Sequence, residues 1–179
     1  QYDFIVAADE CYADIYLDEA NPPPGFLQAA AAMGNTAFRR LVVFHSLSKR
    51  SNLPGLRSGF VAGGPRSLAR IKQLRAYGGA PLPLPLVRVA ERAWSDETHV
   101  VENRRLYDEK YALAGEIFAS VSEYRSPPGG FFLWLPVEDG EQAALKLWTS
   151  SGVRVLPGAY LAKEIDGQNP GKSYIRVAL

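Results

Sequence analysis

Residues that could bind a ligand and react with it follow an apolar run early in the chain. Ser46, Ser48 and Lys49 come directly after residues 41–44, and Arg57 follows Lys49 by eight positions. Serine hydroxyls and an arginine guanidinium suit a phosphate dianion, because both donate hydrogen bonds. A nearby positive charge favours the neutral, nucleophilic form of a lysine. These residue types are compatible with a phosphate site beside a lysine that can attack a carbonyl group. On the residue types alone a solvated basic loop is the favoured interpretation, and the spacing of the residues decides between the two.

Short apolar runs predict the strands that position these side chains. Residues 4–8 and 40–44 are each typical of a buried strand. Asp9 directly follows the first strand, and the Ser/Lys residues follow the second. Polar residues at the carboxyl end of a buried strand often line a ligand crevice in an α/β fold.

The order of predicted elements indicates two α/β domains. Strands and helices alternate up to about residue 95, which predicts a mainly parallel sheet. A long helix follows from about 96 to 121, where apolar residues recur at intervals of four and three. Further strands and one helix after it predict a smaller α/β layer. We expect one domain over 1–95 and a second over 96–179.

The composition is that of a globular protein without a bias towards charged partners. Twenty basic and nineteen acidic residues give a net charge of +1, which does not indicate binding to nucleic acid or to an anionic membrane. No apolar run approaches the roughly 20 residues of a membrane span. The single cysteine, Cys11, excludes an internal disulfide and fits a reducing, cytoplasmic compartment. His45 and His99 have no partners in a ligand pattern, so we expect no metal site.

The run from Ser46 to Arg57 resembles the lysine signature of the class I/II aminotransferases. It reads Ser-x-Ser-Lys and then Asn-Leu-Pro-Gly-Leu-Arg, and it departs from the family at Ser58, where a small aliphatic residue is usual. The resemblance implies the fold type I architecture of transferases that depend on pyridoxal 5′-phosphate. It also implies that Lys49 is the catalytic residue that carries this cofactor. Ser46, Ser48 and Arg57 would bind the phosphate.

Two further parts of the chain resemble the family. Asp9 and Tyr12 form an Asp-x-x-Tyr unit about forty residues before the lysine. By itself, an acid at the end of a strand is usually a solvated cap. The resemblance implies that a buried Asp9 keeps the pyridine nitrogen protonated, which makes the ring an electron sink, and that Tyr12 donates to the phenolic oxygen. Arg176 lies in the apolar run 174–179, where a charge is costly unless it is paired. The resemblance implies that its guanidinium binds the substrate's α-carboxylate through two parallel hydrogen bonds. The alternative is a structural salt bridge.

Several stretches are similar to the succinyldiaminopimelate transaminases of lysine biosynthesis. They are residues 77–80, 94–100, 102–104, 130–134, 155–162 and 169–171. This similarity implies amino transfer from N-succinyl-LL-2,6-diaminopimelate to 2-oxoglutarate. An aspartate, aromatic or LL-diaminopimelate aminotransferase is the alternative within the family.

Members of the family are considerably longer than this chain, which begins at Gln1 without an initiator methionine. We therefore expect a fragment that lacks the N-terminal part, and a homodimer for the full-length protein. One alternative is a truncated chain or binding module that has no activity by itself. Another is a pyridoxal-phosphate decarboxylase or C–S lyase, which would share Lys49 and Asp9 but would need no keto acid acceptor.

Overall fold

A computed structural model of the chain describes residues 3–79 and 81–179. Gln1, Tyr2 and Ala80 lie outside the described residues, and Ala80 belongs to the stretch 77–80 noted above. The chain divides into two compact units, Gln1–Arg105 and Leu106–Leu179. The division falls after residue 105 rather than after residue 95, and the assignment of the two parts to a large and a small domain remains a prediction.

The elements of the first unit alternate between strands and helices as the sequence predicts. In chain order they are β1 (Val6–Asp9), α1 (Phe26–Ala32), β2 (Leu41–Ser46), α2 (Leu47–Arg50), a 3₁₀ turn (Pro54–Leu56), β3 (Gly59–Gly63), α3 (Pro65–Tyr77) and α4 (Leu84–Ser95). The remaining elements are α5 (Thr98–Ile117), β4 (Phe132–Pro136), α6 (Gly140–Ser151), β5 (Leu156–Pro157), a second 3₁₀ turn (Gly158–Leu161) and β6 (Tyr174–Ala178). Over the ranges that the structure describes, no helix is both long and apolar enough to cross a membrane.

The first unit contains a mixed sheet in the order β1-β2-β3. β1 is parallel to β2, with Asp9 opposite Phe44, as the alternation of elements predicts. β3 is antiparallel to β2, with Ser46 opposite Gly59. The antiparallel pairing follows from the short connection 47–58, because a parallel partner needs a crossover that returns the chain to the other end of the sheet.

The core of the first unit lies between this sheet and α1. Ala8, Leu41 and Val43 are buried, and Leu27 and Ala30 of α1 pack against them. Side chains alternate along a strand, so residue 45 lies on the same face as residues 41 and 43. The carboxyl ends of β1 and β2 therefore extend from a part of the sheet that is packed against α1.

The second unit contains an antiparallel sheet in the order β4-β6-β5. Arg176 in the central strand lies opposite Trp134 on one side and Leu156 on the other. Leu133 and Ile175 are buried. Asp139 caps α6 by accepting hydrogen bonds from the first backbone N–H groups of that helix.

Candidate functional site

β2 leads directly into the short helix α2, which carries Lys49. We refer to residues 46–50 as the lysine turn. The Ser46 Oγ accepts a hydrogen bond from the N–H of Ser48 at 3.1 Å and lies 3.2 Å from the carbonyl oxygen of Ser58. The N–H of the fully buried Leu47 donates to that same carbonyl at 3.1 Å. The lysine turn is thus attached to the residue that precedes β3, which fixes the place of Lys49 relative to two neighbouring strands.

The hydroxyls of Ser46 and Ser48 lie 2.9 Å apart, in hydrogen-bond contact. Both serines are partly buried at the carboxyl end of β2. A pair of hydroxyls in contact can reorient to donate to an added anion, because hydroxyl hydrogens rotate. The structure therefore brings together two of the three residues predicted to bind a phosphate.

Asp9 and Tyr12 lie at the carboxyl end of β1, on the strand next to β2. The Lys49 Nζ is 5.8 Å from the centre of the Tyr12 ring. Asp9 accepts a hydrogen bond from the N–H of Cys11 at 3.0 Å, and hydrogen bonds from Cys11 hold the pKa of Asp9 below its usual range. The structure thus places an ionised carboxylate and a phenol at the strand end beside the lysine turn. Asp9 is exposed at that end rather than buried.

Cys11, between these two residues, is a poor nucleophile. Burial raises its pKa to about 11, and the Asp9 carboxylate adds to the shift. A thiol attacks as the thiolate, so a raised pKa keeps it inert near neutral pH.

Arg57 lies in the connection between the lysine turn and β3. Its backbone is left-handed, with φ 54° and ψ 31°, which is unusual for a residue other than glycine and costs about 1–3 kcal/mol. Its guanidinium donates to the carbonyl of Pro54 at 2.8 Å. This bond uses one of five N–H donors, and the side chain is exposed.

Arg176 belongs to the second unit, where it is half-buried in β6. Its guanidinium lies over the Phe132 ring, 4.3 Å from the ring centre. In the described part of the chain no salt bridge involves Arg176, so the structural ion pair considered above is not formed there. Its predicted role as a carboxylate fork remains a prediction.

Arg50, the residue after the predicted catalytic lysine, has no local sequence signal and is among the most heavily bonded side chains of the first unit. It is only 4% exposed. Its guanidinium donates to the Ala93 carbonyl at 2.9 Å and pairs with the carboxylates of Glu97 and, at 3.5 Å, Asp14. It also lies over the Trp94 ring, 5.2 Å from the ring centre. Its partners are far away in the sequence, which explains why the pattern around residue 49 does not reveal it.

His45 completes this group of side chains. Its Nε2 lies 3.0 Å from the Asp14 carboxylate, and the hydrogen bond from His45 lowers the pKa of Asp14, with smaller contributions from the charges of His45, Arg50 and Arg104. The His45 ring also stacks on Phe60, with ring centres 5.5 Å apart. The histidine therefore links the end of β2 to Asp14 and to Phe60 of β3.

A cavity of about 670 Å³ lies at the opposite end of the strands. Its lining includes four arginines, at positions 39, 40, 66 and 70. Among the described residues that line it, none is a predicted site residue. The cavity is therefore separate from the group around Lys49.

The whole chain, residues 1–179, matches the family profile "Aminotransferase class I and II". The chain belongs to the class I and II aminotransferases. This family depends on pyridoxal 5′-phosphate, which confirms the predicted cofactor class.

Solved and curated aminotransferases resemble the chain over nearly its full length. A crystal structure of an aminotransferase from Neisseria meningitidis superposes with a TM-score of 0.93 at 46% identity, covering 98% of this chain and 45% of that one. The 4-dedimethylamino-4-oxo-anhydrotetracycline transaminase OxyQ of Streptomyces rimosus is 30% identical over 97% of this chain and 46% of its own length. An LL-diaminopimelate aminotransferase from Nitratidesulfovibrio vulgaris is 26% identical over the entire chain and 45% of its own length.

The structural relatives confirm the predicted α/β fold of type I. The chain spans a little under half the length of the aminotransferases it matches, so it corresponds to one part of their fold. The part that it does contain includes residues 46–57, which resemble the lysine signature of the family.

The donor set at the end of β1 and β2 fits pyridoxal 5′-phosphate. The cofactor's phosphate needs hydroxyl and cationic donors, its ring nitrogen needs a carboxylate, and its aldehyde needs an amine. Ser46 and Ser48 supply contacting hydroxyls, Lys49 supplies the amine, and Asp9 is a carboxylate whose lowered pKa keeps it ionised.

Proposed function

We propose that this chain forms the lysine-bearing part of an aminotransferase that moves an amino group between an amino acid and 2-oxoglutarate. The observation that carries the proposal is the position of Lys49, whose Nζ stands 5.8 Å from the ring of Tyr12, at the shared end of two parallel strands. Membership of the family over the whole chain supports the reaction class.

Within this proposal, each side chain has a separate task. When bound, the cofactor supplies an electron sink for the negative charge that develops on the substrate's α carbon. Lys49 holds the cofactor between turnovers, and its Nζ then accepts the proton from the α carbon as a general base. Asp9, whose pKa is lowered by hydrogen bonds from Cys11, keeps the ring nitrogen protonated. The Tyr12 hydroxyl donates a hydrogen bond to the phenolic oxygen of the cofactor.

The phosphate would be bound by the residues around the lysine turn. Ser46 and Ser48 present two hydroxyls that already contact each other. Arg57 has an exposed guanidinium and a strained backbone, and strained residues of this kind cluster at binding sites. Anchoring the phosphate fixes the distance between the cofactor's reacting carbon and the Lys49 amine.

Arg176 is proposed to bind the substrate's α-carboxylate. A planar guanidinium can donate two parallel hydrogen bonds to a carboxylate. Its present contact with the face of Phe132 leaves the edge of the guanidinium, where the N–H groups lie, for that purpose.

The proposed donor is N-succinyl-LL-2,6-diaminopimelate, on the strength of the stretches that resemble the succinyldiaminopimelate transaminases. A second candidate is LL-diaminopimelate, because relatives that match the entire chain carry that activity in their names. Both donors present an α-amino acid to Lys49 and differ only at the distal end. We further propose a cytoplasmic homodimer as the working form.

The first test is chemical labelling of the lysine. The protein, expressed from its complete reading frame, is mixed with pyridoxal phosphate, reduced with borohydride and mapped by mass spectrometry. We expect a visible absorbance band and one labelled peptide that contains Lys49. Lys49→Arg should lose both, whereas Lys72→Arg, at an exposed position of α3, should keep both. Label spread over surface lysines in the wild type would refute the assignment of Lys49.

The second test separates the reaction classes and the donors. Amino acids are supplied with and without 2-oxoglutarate, and keto acid, amine and carbon dioxide products are measured. A strict need for 2-oxoglutarate is expected for transamination, whereas turnover without it would indicate a decarboxylase or a lyase. A kcat/KM at least about tenfold higher for the succinylated donor than for LL-diaminopimelate, about 1.4 kcal/mol of discrimination, is expected from the proposed specificity. The reverse order would support the second candidate.

A further inference from the structure

Three consecutive residues after Lys49 are each bonded to the segment around the start of α5. Arg50 donates to the carbonyl of Ala93 and pairs with Glu97. The Ser51 Oγ lies 2.8 Å from the His99 Nε2. All of these residues belong to the first unit.

The third bond of the series joins two amides. The Asn52 Nδ2 donates to the Asn103 Oδ1 at 2.7 Å. Asn52 has a left-handed backbone, with φ 52°, which asparagine tolerates better than most residues. Asn52 follows the lysine turn by two residues, so its backbone conformation and its bond to Asn103 fix the direction of the chain after the turn.

We propose that Arg50 is a positioning residue for Lys49, and this inference rests on the proposed transamination. α2 has four residues, and a helix of one turn has no stability of its own in water. The place of Lys49 within it must therefore come from contacts made by the neighbouring side chains. Leu47 supplies an apolar contact, and its N–H and the Ser46 hydroxyl bond to the Ser58 carbonyl at the start of the turn. Arg50 supplies the directional bonds at the end of the turn.

The bonding pattern of Arg50 requires a guanidinium. One planar group reaches the Asp14 carboxylate, the Glu97 carboxylate and the Ala93 carbonyl, and it stacks on Trp94. A lysine ammonium at this place keeps the charge but cannot serve several acceptors in a plane or stack in the same way. An unpaired charge is costly when buried, so a lysine here would shift towards an acceptor and pull the lysine turn with it.

The consequence for the reaction is specific to proton transfer. Lys49 must bring its Nζ to the substrate's α carbon, and a misplacement of about 1 Å can cost about 100-fold in rate. Arg50 does not itself face the residues proposed to bind the phosphate, because its bonds go to Asp14 and to residues 93–97. Its loss should slow the proton transfer while leaving substrate binding unchanged.

The test compares Arg50→Lys with Arg105→Lys in protein expressed from the complete reading frame. Arg105 lies on α5, is exposed and pairs with Glu102, so it matches the charge and the substitution at an exposed position. Measured quantities are kcat, KM for the amino donor, and the kinetic isotope effect with a donor deuterated at the α carbon. Borohydride labelling of Lys49 counts the intact sites in each sample.

For Arg50→Lys we expect kcat per labelled site to fall about tenfold or more, KM to stay within about twofold, and the isotope effect to rise because proton transfer limits the rate. Arg105→Lys should match the wild type in all three. An unchanged isotope effect, with kcat falling only in proportion to labelled sites, would show a purely structural role and overturn the inference.

A second variant covers the case in which Arg50→Lys does not fold. Glu97 has a side chain that is 67% exposed, so Glu97→Gln should fold while weakening one bond to Arg50. We expect it to raise the isotope effect in the same direction, and an effect equal to that of the wild type would contradict the proposal. A wild-type protein that reacts without 2-oxoglutarate refutes the proposed transamination instead, and the labelling result then shows whether Lys49 still carries the cofactor.

Discussion

Gly59 of β3 lies close to the end of β2, and replacing it with alanine tests how tightly the lysine turn is packed. An added β-carbon would stand 2.4 Å from the carbonyl oxygen of His45, whereas β-carbons in proteins keep at least 3.0 Å. Moving from 2.4 Å to 3.0 Å requires a backbone shift of about 0.6 Å, because both groups belong to paired strands. Overpacking of this kind costs about 1–3 kcal/mol.

The same shift reaches the site. Gly59 lies opposite Ser46, which caps the helix that carries Lys49. Since a displacement of about 1 Å can lower a rate about 100-fold, a shift of roughly half that size should lower kcat about tenfold. We therefore expect Gly59→Ala to lose both stability and activity.

The assay is urea denaturation of Gly59→Ala beside Gly55→Ala, with kcat measured on both. Nothing lies within 4 Å of a β-carbon at Gly55, so this control should stay within about 0.5 kcal/mol of the wild type. Equal free energies of unfolding for the two variants would refute the steric argument. A stability loss without a loss of kcat would refute the link between the strand pair and the lysine turn.

Three further predictions concern the first unit. Leu47→Ala should lower the free energy of unfolding by about 2–5 kcal/mol, because its side chain is fully buried, whereas Leu74→Ala, at 68% exposure, should cost less than about 0.5 kcal/mol in the same titration. The lowered pKa of Asp14 means that its contribution to stability is complete above the unfolded-state pKa of about 3.9 and disappears as the pH falls through the lower folded-state pKa. Asp14→Asn should remove that acid-side decline in unfolding free energy, and an unchanged decline would exclude Asp14 as its source. The thiol of Cys11, with its pKa raised to about 11, should react slowly with iodoacetamide at about pH 8, and Asp9→Asn should speed the reaction by removing the nearby anion; no acceleration would contradict the assigned influence of Asp9.

The sequence predicted the strands that carry the site residues, because those strands are apolar runs. The apolar runs before Asp9 and Ser46 form β1 and β2, and the two strands are neighbours in one sheet. The predicted second strand stopped at residue 44, whereas β2 continues to Ser46. His45 and Ser46 extend the strand because their backbones pair with Phe60 and Gly59, and polar side chains hide such pairing from a hydrophobicity pattern.

Contacts between distant residues were beyond prediction. Asp9 was expected to be buried but is exposed, since burial depends on what packs over the end of a strand. The histidines were considered only as metal ligands, whereas the structure pairs His45 with Asp14 and His99 with Ser51. Arg50 was not predicted as a structural residue, because its acceptors Asp14, Ala93 and Glu97 are distant in the sequence.

The direct return from β2 to β3 has a consequence for the order of folding. These strands pair after closing the short connection 47–58, whereas β1 must reach β2 across roughly 30 residues, and the entropic cost of closing a loop rises with its length. We expect the lysine turn to form before the strand that carries Asp9 is in place. In pulse-labelling hydrogen exchange, the amides of Leu47 and Gly64, bonded within the β2–β3 pair, should then gain protection earlier than those of Val6 and Glu10, bonded between β1 and β2. The site would thus assemble outward from its lysine.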